Sequence, residues 1–115
     1  MLQLFCHFIG DYILQMPDMA YYKKEKSLRG YLYCSLHCIL YGLPFFIITN
    51  YIGVLLIIIT HFIIDKYDLV ERFIEFKEDM SMNKNSNDIK FFLRIVIDNG
   101  LHLMINWTII YLLIL

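Results

Sequence analysis

Cysteine is scarce, and the three present, Cys6, Cys34 and Cys38, have neither zinc-finger spacing nor the pairing pattern of a disulfide framework, so they read as packing residues. A glycine-rich phosphate loop, a dinucleotide fingerprint and a nucleophile elbow are all missing, which removes the common nucleotide-binding and serine-hydrolase classes. Charge of one sign is missing as well: ten Lys and Arg stand against eleven Asp and Glu, with no basic patch, so no nucleic-acid partner is expected. The first stretch lacks a basic start and a small-residue cleavage site, and it carries His7 and Asp11 in its middle. It is therefore expected to be retained, not removed as a signal peptide.

What the chain has in abundance is apolar surface. Over 115 residues it is 59% hydrophobic and 17% aromatic, with a mean hydropathy of +0.57. That is far above soluble composition and predicts one domain with the lipid bilayer as its solvent. Four apolar stretches, at about residues 1–16, 31–50, 51–66 and 91–115, predict an all-α, integral membrane four-helix bundle. A charge-free break around Thr49 and Asn50 separates the second stretch from the third. The first and third are short against the roughly 20 residues of a full span, which predicts extension into polar neighbours or a locally thinned bilayer. Residues 69–78 alternate apolar Val70, Phe73, Ile74 and Phe76 with charged Glu71, Arg72, Glu75, Lys77 and Glu78. They predict a cytoplasmic amphipathic helical extension of the third helix to about residue 79, and residues 81–88 read as a loop.

Topology follows from the linkers. Residues 17–30 carry Lys23, Lys24, Lys26 and Arg29, and residues 67–90 carry Arg72, Lys77, Lys84 and Lys90. With four helices both linkers fall on one side, which the positive-inside rule makes cytoplasmic, leaving both termini outside.

Within the apolar stretches stand four histidines, three of them four residues from an aspartate: His7 with Asp11, His61 with Asp65, and His102 with Asp98; His37 stands alone. Residues four apart share a helix face, so each pair is a small preformed set of nitrogen and oxygen donors. Counted inward from the cytoplasmic ends, Asp11, His37, His61, Asp65 and Asp98 fall within ~10 Å along the bilayer normal at ~1.5 Å per residue, with His7 and His102 one turn deeper. Polar side chains are expensive in a span, so the seven are expected to converge on one metal site in the cytoplasmic half of the bundle. A mixed His/Asp set favours Zn²⁺, Mn²⁺ or Fe²⁺. Seven donors exceed one tetrahedral ion, so either two ions share a bridging aspartate or some aspartates orient the imidazoles from outside. Without metal the same residues would form a proton relay. Gln15 and Asn106 extend two of these faces and read as interhelical hydrogen-bonding groups; Lys66, Lys23, Lys24 and Arg94 could each meet an anionic group at the cytoplasmic edge, with Lys66 and Arg94 the candidate charge stabilisers, though snorkelling is the commoner use of such residues.

The order of motifs His7-Phe-Ile-Gly-Asp11-Tyr-Ile-Leu-Gln15, Met19-Ala20 with Lys23, Leu36-His37, Thr60-His61-Phe-Ile-Ile-Asp65-Lys66 and Asp98-Asn-Gly-Leu-His102 closely resembles the small bacterial and phage membrane proteins called domain of unknown function 3307, nearly end to end. The resemblance implies a bacterial or bacteriophage origin and an inner-membrane location, and it supplies no established reaction. More distantly the chain is similar to membrane-bound proteins described as metal-dependent hydrolases, by analogy alone.

The function expected from the sequence is therefore metal-assisted hydrolysis of a phosphoester or amphiphilic substrate. His7, Asp11, His37, His61, Asp65, Asp98 and His102 would hold one or two ions, with an aspartate (Asp65 or Asp98) as base and Lys66 or Arg94 stabilising charge. Two other classes stay open: a non-enzymatic, metal-stapled protein, phage-encoded in one form of this reading, that modulates a host partner through residues 67–90, and a proton or metal conduit, which four short helices could line only in an oligomer.

Overall fold

The computed structural model describes residues 1–82 and 86–114. Its elements are helical: α1 (Leu2–Phe8), continued by a π-helical stretch (Ile9–Ile13); α2 (Pro17–Tyr22); α3 (Leu28–Gly42), continued by a 3₁₀ stretch (Leu43–Ile47); α4 (Tyr51–Lys66); α5 (Leu69–Asp79); and α6 (Asn87–Ile114). No strand occurs among the described residues.

Local chemistry sets these boundaries. The Ser27 hydroxyl accepts from the Gly30 N–H to start α3, and the Asn50 side chain accepts from the Gly53 N–H to start α4. Pro17 occupies the first turn of α2, where a missing N–H costs nothing. Asp68 adopts a left-handed backbone (φ 55°) that breaks α4 from α5, so the amphipathic extension is a separate helix. The linker at residues 17–30 carries α2 and the start of α3, and α6 begins at Asn87. Residues 83–85 of the expected 81–88 loop lie outside the described residues.

Helices α3 and α4 form an antiparallel pair, with α6 packed against α4, α1 against α6 and the 3₁₀ stretch, and the π-helical stretch against α3. Gly10 permits a close backbone approach to α3: a Cβ there would lie 2.7 Å from the Tyr41 carbonyl oxygen and 2.9 Å from its Cα. One apolar cluster joins Cys6, Tyr41, Phe45, Val54 and Ile57. A second joins Ile64, Val70 and Ile74 to Leu93, Ile97, Leu101 and Ile105 of α6. Along α4, His61 falls between Ile57 of the first cluster and Ile64 of the second, so the histidines sit between two apolar layers.

Two helical segments, Leu28–Ile47 and Asn87–Leu113, are long and apolar enough to cross a membrane. Large apolar side chains stand outward along α1, α3, α4 and α6, including Phe5, Phe8, Leu36, Leu55, Ile59, Met104, Trp107 and Leu112.

Candidate metal centre

Four elements supply the polar groups of the centre. The π-helical stretch brings Asp11, α3 brings His37, α4 brings His61 and Asp65, and α6 brings Asp98 and His102. Four donor atoms converge. His37 Nε2 lies 3.0 Å from His61 Nε2, 3.4 Å from Asp11 Oδ1 and 3.3 Å from Asp65 Oδ2. His61 Nε2 lies 3.9 Å from Asp11 Oδ1 and 3.4 Å from Asp65 Oδ2. A tetrahedral ion with bonds of about 2.0–2.2 Å holds its ligand atoms about 3.3–3.6 Å apart. The five separations therefore bracket the edges of such a tetrahedron, and all four residues are buried.

A second set adjoins the first through Asp65. Its other oxygen, Oδ1, lies 3.3 Å from His102 Nε2, and Asp98 Oδ1 lies 3.3 Å from the same nitrogen. His61 joins the two sets, since its Nδ1 faces His102 Nδ1 at 3.1 Å. Tyr41 stacks on the His61 ring with centroids 3.7 Å apart, fixing the plane of the imidazole.

Charge gives an independent reason to expect a cation. Asp11, Asp65 and Asp98 are three carboxylates, and the one ammonium bonded to them among the described residues is Lys23, 2.8 Å from Asp65 Oδ2. Burial pushes the Lys23 ammonium towards its neutral form, but the Asp65 carboxylate beside it outweighs that and holds its pKa above the ordinary value. With the imidazoles neutral, three negative charges against one positive leave a surplus of two, which a divalent ion would balance. His37 Nδ1 is buried without a hydrogen-bond partner among the described residues. It stays unpaired whether an ion or a proton lies between the imidazoles, so it favours neither.

Of the seven residues singled out in the sequence, six enter these two sets and His7 does not. Both nitrogens of His7 are engaged: the Asn106 amide donates to the Tyr41 hydroxyl (2.7 Å), which in turn donates to His7 Nδ1 (2.7 Å). His7 Nε2 then donates to Asn99 Oδ1 (2.8 Å). With its lone pair committed to Tyr41, His7 is an interhelical hydrogen-bonding residue in place of the expected ligand. Asn106 is one as well.

The cations are also distributed differently from the sequence reading. Lys66 Nζ donates to the backbone carbonyls of Lys23 and Glu25 and lies over the Tyr31 ring, away from the centre. Arg94 pairs with Glu71. Lys23, whose Nζ also donates to Gln15 Oε1 at 3.0 Å, holds the position expected of them. Lys23 had two signals in the sequence, its place beside Lys24 at the cytoplasmic edge and its place in the Met19-Ala20 motif, and Tyr41 had one, its position one turn after His37.

A cavity of about 510 Å³ reaches the centre from the side of Asp65 and Asp98, lined also by Tyr12, Lys23, Lys24 and Arg94. Asp98 is the open edge of the site, its side chain 33% exposed where Asp65 is 7%. Buried donors at metal-ligand spacing, surplus negative charge and a polar cavity on one side define an all-helical protein with a cluster able to hold a metal ion. The sequence model of the family described as Protein of unknown function (DUF3307) matches residues 1–115, and the chain belongs to that family. No curated protein matches the chain at a significant level, and no solved structure does.

Proposed function

We propose that this is an integral membrane metalloprotein that carries out metal-assisted hydrolysis of a phosphoester or amphiphilic substrate at the cytoplasmic face of a bacterial inner membrane. The observation that carries the metal reading is the spacing of Asp11, His37, His61 and Asp65, whose donor atoms stand 3.0–3.9 Å apart in five measured pairs. Zn²⁺ and Mn²⁺ suit this mixed set best, with Fe²⁺ also compatible. When bound, such an ion supplies Lewis acidity and lowers the pKa of water.

The chain's own groups fit the rest of that chemistry. Asp98 edges the cavity, within reach of solvent and of His102, and is placed to accept a proton. Lys23, Lys24 and Arg94 line the same cavity, paired with Asp65, Asp68 and Glu71, and an anionic group entering it would compete with those carboxylates for them. Apolar side chains exposed along four helices and two helices long enough to span support a bilayer surround, and in the proposed topology, with both basic linkers cytoplasmic, the cavity would open at the inner leaflet, where an amphiphilic substrate is available.

One observation favours a second reading. Four protein donors complete a tetrahedron with no position left open, the pattern of structural sites, in which the ion staples short helices and no reaction follows. Metal content by mass spectrometry on detergent-purified protein, beside His61→Ala, tests the common premise. A panel of phosphoesters assayed with wild type, His61→Ala and Asp65→Ala separates the two readings. Metal-dependent turnover lost in both variants supports the hydrolase; turnover that persists in them, or bound metal with no turnover on any phosphoester, refutes it. Absence of metal from protein prepared without chelator removes both.

A further inference from the structure

We infer that the centre holds one divalent ion at a time, on Asp11, His37, His61 and Asp65, and that His102 with Asp98 positions His61 instead of binding a second ion. The inference rests on the metal reading proposed above and decides between the one-ion and two-ion forms that the donor count alone leaves open.

Protons decide it. Between His61 Nδ1 and His102 Nδ1, 3.1 Å apart, there is room for one hydrogen. A neutral imidazole that gives Nε2 to an ion carries its proton on Nδ1. His61 bound through Nε2 therefore donates from Nδ1, and His102 Nδ1 must accept. That places the His102 proton on Nε2, where Asp65 Oδ1 and Asp98 Oδ1 wait as acceptors at 3.3 Å each. Each hydrogen of the two rings then has an acceptor, and the four groups form a relay of contacts from Asp98 through His102 and His61 to the ion.

A second ion on His102 Nε2 would break that arrangement. The His102 proton would move to Nδ1 and point at the His61 proton. With N–H bonds of about 1 Å, the two hydrogens would stand about 1 Å apart, well inside contact. Relief requires removing a second proton from an imidazole or swinging one ring away, and Tyr41 stacked on His61 opposes the swing. Charge agrees with the proton count. The centre has a surplus of two negative charges, three carboxylates against Lys23, which one divalent ion neutralises and two would overshoot. Asp65 divides its oxygens accordingly, Oδ2 towards His37, His61 and Lys23, and Oδ1 towards His102.

Co²⁺ titration followed by visible absorption, together with the metal-to-protein ratio, tests this on the full chain in detergent. Wild type should saturate at one equivalent with a single tetrahedral spectrum, and His37→Ala should lose it. His102→Ala should still saturate at one equivalent with affinity weakened about 10–100-fold, the usual effect of removing an outer partner. His102→Asn should recover much of that loss, because its carbonyl oxygen accepts the His61 proton while offering an ion no nitrogen. Asp98→Asn, at the exposed edge, provides the same readout should the His102 variants fail to fold. Two equivalents in wild type, falling to one in both His102 variants, would overturn the inference and leave the metal reading standing. No Co²⁺ bound at any concentration would overturn the metal reading itself.

Discussion

Exchanging Asp65 for asparagine replaces one carboxylate oxygen by an amide nitrogen at nearly constant volume, so the change isolates charge and metal affinity from packing. Without metal, two effects oppose each other. Lys23 loses the carboxylate 2.8 Å away, while one of the two surplus negative charges of the centre disappears. With metal, one effect dominates. At a free ion concentration of 100 times Kd, binding stabilises the wild type by about 2.7 kcal/mol. Loss of one of four ligands that weakens binding 100-fold leaves about 0.4 kcal/mol of that at the same concentration. The metal-dependent part of the stability difference is therefore about 2.3 kcal/mol. For a chain of this length that corresponds to roughly 7–14 °C in melting temperature. The assay is thermal unfolding in detergent of both proteins, each with free Zn²⁺ or Mn²⁺ at 100 times the wild-type Kd and each with chelator. The wild type should gain close to that full interval on metal addition and Asp65→Asn almost none of it. Equal metal-induced shifts in the two proteins, or no shift in either, would refute Asp65 as a ligand.

Gly10→Ala should destabilise the fold by about 1–3 kcal/mol and weaken metal binding together, because its Cβ would press on the Tyr41 backbone and push Asp11, the next residue, away from α3; denaturation and Co²⁺ titration report the two effects. Tyr41→Phe keeps the ring on His61 but strands His7 Nδ1 and the Asn106 amide, so it should cost about 1–3 kcal/mol of stability while still binding one ion. Met104→Asp, on the outward face of α6 and 69% exposed, should reduce membrane insertion by about 2.5–3.5 kcal/mol if that face meets lipid. Unchanged recovery in the membrane fraction after alkaline extraction would contradict the bilayer assignment.

The centre was legible where the helical period holds. His61 and Asp65, and Asp98 and His102, meet across one turn of α4 and α6 at 3.4 and 3.3 Å, as their spacing of four requires. It was illegible where periodicity stops being informative. Lys66 follows Asp65 directly, and adjacent residues on a helix do not face the same way, so Lys66 turns to the linker carbonyls while Lys23 reaches Asp65 from the linker itself. The left-handed residue at Asp68, which frees α5 to pack its Val70 and Ile74 against α6, has no signature in an amphipathic pattern that runs on from the third apolar stretch.

His7 and Asp11 show why equal spacing does not guarantee equal geometry. The pair looks identical to His61 and Asp65 in sequence, yet His7 is bonded to Tyr41 and Asn99 whereas Asp11 approaches His37 and His61. Between them the chain passes from α1 into the π-helical stretch, where the Leu14 N–H reaches back five residues to the Ile9 carbonyl. The wider turn changes the register between His7 and Asp11, and such π-turns inside helices are frequent at functional sites. Here the re-aimed side chain is the one carboxylate that no α-helical residue of the centre supplies from its side, and Gly10 sits immediately before it, where α3 approaches too closely for a Cβ. The wide turn and the glycine together hold Asp11 against His37, so the first helix brings a donor to the candidate metal centre through a backbone irregularity and leaves its histidine to hydrogen-bond across the helices.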